Sequence, residues 1–178
     1  MTDILTIKNG RKVVNNGMNE EKVLLDEINL TIREGDFITV LGGNGAGKST
    51  LFNTIAGTLQ LSQGSISFKD QLITKDSEEK RARFLSRVFQ DPKMGTAPRM
   101  TVAENLLLAQ KRGQKRKFRL RNLKNQKEDF FRLCQEVGNG LEQHLDTPAG
   151  ELSGGQRQAL SLLMATITAP ELLLLDEH

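Results

Sequence analysis

Residues 42–49, "GGNGAGKS", combine the residue types that close around an anion. Glycine tolerates positive φ, so successive backbone N–H groups can turn inward around one negative centre. The spacing is that of the phosphate loop, G-x-x-x-x-G-K-[ST]. In it Lys48 reaches the β and γ phosphates of a nucleotide, and the Ser49 hydroxyl faces Mg2+. Gly42, Gly43, Asn44, Gly45, Ala46, Gly47, Lys48, Ser49 and Thr50 are therefore the expected nucleotide-binding segment.

Two further stretches carry compatible chemistry. In "LLLLDE" (172–177) an apolar run delivers two carboxylates. An α/β sheet places its ligands at the C-terminal ends of its strands. Asp176 is thus expected to hold Mg2+ through water, and Glu177 to orient or deprotonate an attacking water. His178 is assigned no role. In "LSGGQRQAL" (152–160), Ser153 and Gln156 have capping-box spacing. Gly154 and Gly155 leave backbone N–H groups open at a helix N-terminus, which favours a phosphate.

These groups need elements to position them. "LTIK" (5–8) and "EINLTI" (27–32) alternate with the strand period, with "NNGMNEE" (15–21) as the turn between them. "FITVL" (37–41) reads as a buried strand leading into the glycine segment, and "KSTLFNTIAG" as a helix stopped by Gly57. "GSISF" (64–68), "SRVFQ" (86–90) and "LLLLD" (172–176) are further strands. Asp76 with Glu79 predicts a capping box for a helix over 77–85, and Thr101 with Glu104 a second one. A helix is expected over 122–137, capped by Gly138, and another from Ser153 to a stop before Pro170. The alternation implies an α/β fold: a mostly parallel sheet, an antiparallel β portion near the N-terminus and a helical subdomain. One domain over 1–178 is expected, with 1–90 and 151–178 as the ligand-binding core and about 91–150 as the helical part.

The 178 residues are 37% hydrophobic and 26% charged, a globular profile. No apolar run approaches the roughly 18 to 20 residues of a membrane span, and "MTDILTIKNG" lacks the layout of a secretory signal. The single cysteine, Cys134, excludes an internal disulfide and is expected to be buried. Net charge is +3, but residues 111–132 hold ten Lys or Arg against Glu128 and Asp129. Such a block can meet an anionic surface or be a solvated helix face.

Taken together, "GGNGAGKST", "VFQD", "LSGGQ" and "LLLLDE" closely resemble the nucleotide-binding domain of ABC (ATP-binding cassette) ATPases, along essentially the whole chain. The resemblance implies an α/β phosphate-loop core, ATP and Mg2+ as cofactors, and Gln90 as the glutamine that reaches Mg2+ and the attacking water. Lys48, Gln90 and Glu177 are then the expected catalytic residues, and Ser49, Gln90 and Asp176 the metal-facing ones. It also implies a head-to-tail homodimer or paired ATPase subunit, with Ser153, Gly154, Gly155 and Gln156 closing on the nucleotide of the other copy. The family stacks an aromatic side chain on adenine at about Val14, where this chain has valine; loss of the ring is worth roughly 1 kcal/mol.

By the same resemblance a D-loop and a switch histidine belong beyond Glu177. The chain is therefore read as C-terminally truncated after Walker B, competent for Mg-ATP and short of the full hydrolytic set. The stretch after Gln90, "DPKMGTAPRMTVAENL", resembles that of bacterial uptake systems. The leading expectation is an ATPase subunit of a membrane transporter, cytoplasmic and peripheral at the inner face of the membrane, with a separate transmembrane permease. The alternative is a soluble ABC ATPase acting on nucleic acid or ribosomes. It is opposed by the short spacing between Gln90 and Leu152, so nucleic acid is not the expected partner.

Overall fold

The computed structural model describes residues 2–15, 21–114 and 123–176. Contacts divide the chain into two compact units, residues 1–82 and 83–178.

The first unit is built on an antiparallel sheet. β1 (Asp3–Asn15) pairs with β2 (Glu21–Arg33) on one side and β3 (Gln63–Phe68) on the other; β4 (Gln71–Leu72) completes the order β2-β1-β3-β4. Their alternating apolar residues supply a core that includes Leu5, Ile7, Leu25, Ile66 and Phe68. Helix α1 (Lys48–Ala56) adds Ile55 and Ala56 and ends at Gly57, whose φ of 87° suits only a residue without a Cβ. A short helix, α2 (Glu78–Arg81), closes the unit.

Two expectations fail here. The run Phe37–Leu41 is not a strand: Phe37 is 91% and Leu41 87% exposed. Apolar, β-branched composition gives a strand its propensity, but a strand also needs a neighbour for its N–H and C=O groups. Among the described residues none pairs with this run. The helix read over 77–85 is only four residues long. Ser77, not Asp76, precedes it, and Asp76 instead pairs with Lys80 at 3.1 Å.

The second unit joins two parallel strands to a helical cluster. β5 (Leu85–Val88) runs alongside β6 (Leu172–Leu175) in register, Leu85 opposite Leu172 and Val88 opposite Leu175. Between them come α3 (Pro92–Gly95), α4 (Val102–Ala109), α5 (Lys127–Val137) and α6 (Gly154–Thr166). The Thr101–Glu104 and Ser153–Gln156 capping boxes both form. Val102, Leu106, Phe130, Cys134, Leu141, Leu160 and Leu163 share one core. Burial, then the charge of Glu142, pushes the Cys134 thiol up to about 11, so it stays protonated and inert. The α/β reading, with an antiparallel N-terminal portion and parallel strands beyond it, holds.

The basic block is partly structural. Arg112 donates to the Ala165 and Thr168 carbonyls at the end of α6, at 3.0 and 2.5 Å, and burial lowers its pKa. Lys127 pairs with Asp146 and Arg132 with Glu128. Positions 115–122 lie outside the described residues.

Candidate phosphate and cation sites

In the first unit the glycine segment curls at the N-terminus of α1. Gly45 and Gly47 take φ of 80° and 88°, and the Ala46 N–H donates to the Gly43 carbonyl at 3.2 Å. Gly47 is the residue before the helix and has no side chain with which to cap it. The first N–H groups of α1 are therefore left to an external acceptor. Gly47 also lies close to β2, where a Cβ would meet the Leu24 carbonyl oxygen at 2.8 Å. The Lys48 ammonium folds back on its own loop, donating to the Gly42 carbonyl at 2.5 Å and the Gly43 carbonyl at 3.0 Å. A loop that wraps its own lysine already has the curvature to wrap an anion. Val14 lies half-buried on β1, opposite Lys22 of β2.

The far end of α1 depends on a residue that sequence reading missed. Arg81 is fully buried and donates to five carbonyls: Thr54, Ile55, Ile73, Thr74 and Asp76, at 2.7 to 3.2 Å. All its donors are satisfied with no carboxylate bound to it. Desolvation lowers its pKa, and the Asp76 charge opposes that shift. Two of the carbonyls end α1, where the helix dipole favours a cation. In "EEKRAR" nothing distinguishes Arg81 from its solvated neighbours.

In the second unit the parallel register brings the ends of β5 and β6 side by side. Gln90 follows one strand and Asp176 the other, and the Asp176 N–H donates to the Val88 carbonyl at 3.0 Å. Both offer oxygen donors suited to a hard divalent cation. Among the described residues no cluster of three or more His, Cys, Asp or Glu could hold a metal unaided. Asp176 is not free: the Arg87 guanidinium sits 2.6 Å from its Oδ2. Glu177 lies outside the described residues.

The "SGGQ" segment opens α6 in the same unit. Ser153 Oγ accepts from the Gln156 N–H at 3.3 Å, and the Ser153 N–H donates to Gln156 Oε1 at 3.2 Å. A Cβ at Gly154 or Gly155 would meet nothing within 4 Å, so this helix end is open to a ligand. Arg157 braces the turn before it, donating to the Ala149, Gly150 and Leu152 carbonyls. Lys48, Ser49 and the glycine segment thus belong to the first unit, and Gln90, Ser153–Gln156 and Asp176 to the second.

A phosphate loop followed by a helix, together with a strand-end carboxylate on parallel strands, defines a P-loop nucleotide-binding protein. The ABC transporter family model matches residues 25–178. The chain is 41% identical to a tyrosine transport ATP-binding protein of Clostridioides difficile over 175 residues, 98% of this chain and 69% of that protein. It is 35% identical to a spermidine/putrescine import ATP-binding protein, PotA, of Haemophilus ducreyi, over 88% of this chain but only 39% of that relative. A solved ATP-binding cassette of an ABC transporter, MJ1267, superposes with a TM-score of 0.72 at 27% identity, covering 97% of this chain and 68% of the other. The chain belongs to the ABC transporter family, in its ATP-binding ATPase branch. Among the described residues no helix is long and apolar enough to cross a membrane.

Proposed function

We propose that this chain binds Mg-ATP and serves in the ATPase of an uptake-type membrane transporter, working with a separate transmembrane permease at the inner face of the membrane. The observation that carries the reading is the loop at 42–49, curled around Lys48 at an uncapped helix N-terminus. Residues 42–50 hold the triphosphate by backbone N–H groups and the Lys48 charge. Asp176, Gln90 and the Ser49 hydroxyl supply oxygen donors for Mg2+, which when bound neutralises charge on the β and γ phosphates. Glu177 orients water. Ser153, Gly154, Gly155 and Gln156 present a second helix N-terminus, for the nucleotide of a head-to-tail partner. The import-protein relatives support uptake over export. The basic block lends less support to a nucleic-acid role, because Arg112, Lys127 and Arg132 bind the protein itself.

Calorimetry with Mg-ATP tests the proposal. The parent chain is expected to bind, and Lys48→Ala to lose at least about tenfold in affinity, since charge-assisted hydrogen bonds contribute about 1.5–3 kcal/mol. No heat from folded parent protein, or equal affinity in the variant, overturns it.

A further inference from the structure

Arg87 lies on β5 and Asp176 directly follows its parallel neighbour β6, and the same register that sets Val88 against Leu175 brings their side chains into contact. The guanidinium Nη2 lies 2.6 Å from Asp176 Oδ2. Both side chains are well covered, Arg87 at 9% and Asp176 at 19% exposure, so water screens the pair less than it would a surface ion pair. The guanidinium also lies 4.7 Å from the centre of the Phe89 ring. Phe89 directly follows β5 and precedes Gln90, so one cation links the two strand ends.

From this we infer that Arg87 is a positioning residue that occupies the Asp176 carboxylate until a divalent cation displaces it, so that cation binding is linked to movement of Arg87. The inference rests on Asp176 being a cation-facing carboxylate, as proposed above. An arginine cannot give up its proton near neutral pH. A cation arriving at Asp176 therefore meets a fixed positive charge that only displacement relieves. Each side chain has somewhere to go in the exchange: Asp176 gains the metal or its water shell, and Arg87 keeps the Phe89 ring face, where a cation is favoured. The cost falls on cation affinity, because the ion pair must be broken first. Without Arg87 the carboxylate would still be held in place by its backbone bond to Val88 and would carry its full negative charge toward the cation.

The test is the ratio of the dissociation constant for the non-hydrolysable analogue AMP-PNP in EDTA to that in excess Mg2+, measured by calorimetry on the full chain. Arg87→Met and Arg87→Gln are expected to raise this ratio about tenfold, the scale of one partly buried charge-assisted bond. Arg87→Lys, which keeps the charge, is expected to leave the ratio within about twofold of the parent. Asp176→Asn is expected to bring the ratio close to one. If Asp176→Asn does so but the Met and Gln variants match the parent or fall below it, the inference is overturned while the cation role of Asp176 stands. Equal gains in the Lys, Met and Gln variants also overturn it, since the effect would not follow charge. If Asp176→Asn keeps the parent ratio, the cation role fails and the inference falls with it. Should Met destabilise the fold, Gln, which retains a hydrogen-bond donor, decides the matter.

Discussion

Replacing Arg81 with alanine tests whether the phosphate-loop helix is anchored from its far end. Arg81 is 0% exposed and donates five hydrogen bonds to carbonyls. The Thr54 and Ile73 carbonyls have second donors, the N–H groups of Gly57 and Asp76. Ile55, Thr74 and Asp76 take theirs from Arg81. A buried carbonyl left without a donor costs about 1–3 kcal/mol. Against that, the unfavourable desolvation of one guanidinium disappears. Of these three bonds only the one to Ile55 is fully buried, so we expect a net loss of about 2–4 kcal/mol, a large share of the roughly 5–15 kcal/mol that holds a typical domain folded. Arg81→Lys should lose about 2 kcal/mol, because an ammonium has three donors without the planar fork. Urea unfolding followed by far-UV circular dichroism gives the total, and hydrogen exchange at the α1 amides shows where the loss falls. A change below about 1 kcal/mol for Arg81→Ala, or unaltered exchange in α1, would refute the anchoring role.

Three further outcomes follow from the same geometry. Gly47→Ala should weaken Mg-ATP binding at least tenfold by calorimetry and destabilise the protein by about 1–2 kcal/mol, because the position has φ of 88° and a Cβ would press on the Leu24 carbonyl. Val14→Tyr should strengthen nucleotide binding by about 1 kcal/mol, the scale of a ring-on-ring contact; unchanged affinity would remove Val14 from the adenine side of the site. Cys134, held near 11 against an ordinary value of 9.0, keeps its proton in the folded chain after the unfolded chain has lost its own. The unfolded state then binds fewer protons, so stability should be fully present below about pH 9 and fall as pH rises towards 11; Cys134→Ser, measured by urea unfolding across that range, should flatten the slope.

The parts legible in the sequence are those that rest on local chemistry. The capping boxes at Thr101 and Ser153, the stop at Gly57 and the curl of 42–49 need only neighbouring residues, and each formed as read. Burial of Cys134 followed from an apolar helix face. The readings that failed depended on partners distant in the chain. Phe37–Leu41 has strand composition, but among the described residues no strand pairs with it, and periodicity cannot supply the neighbour. The short α2 ends at Arg81, which turns inward to carbonyls as far back as Thr54. The contact between Arg87 and Asp176 spans 89 positions and exists only because two short parallel strands share a register. Arginine in a stretch such as "SRVFQ" is the one hint the sequence offers: a long cation in a mostly apolar strand has to find a counter-charge or an aromatic face.

The hydroxyl of Ser153 is already in use. It accepts from the Gln156 amide N–H and lies 3.1 Å from Gln156 Oε1, to which its proton points. An oxyanion arriving at this end of α6 can recruit that proton only by swinging it away from Oε1. The glutamine carboxamide then keeps only the Ser153 backbone N–H as its local donor. Serine and glutamine therefore respond as a single rotor, and the helix start trades an internal closure for an external one. If this helix end takes the anion proposed for it, a visitor too weak to repay that exchange leaves the hydroxyl where it is, and the exchange would favour strong, multiply charged acceptors.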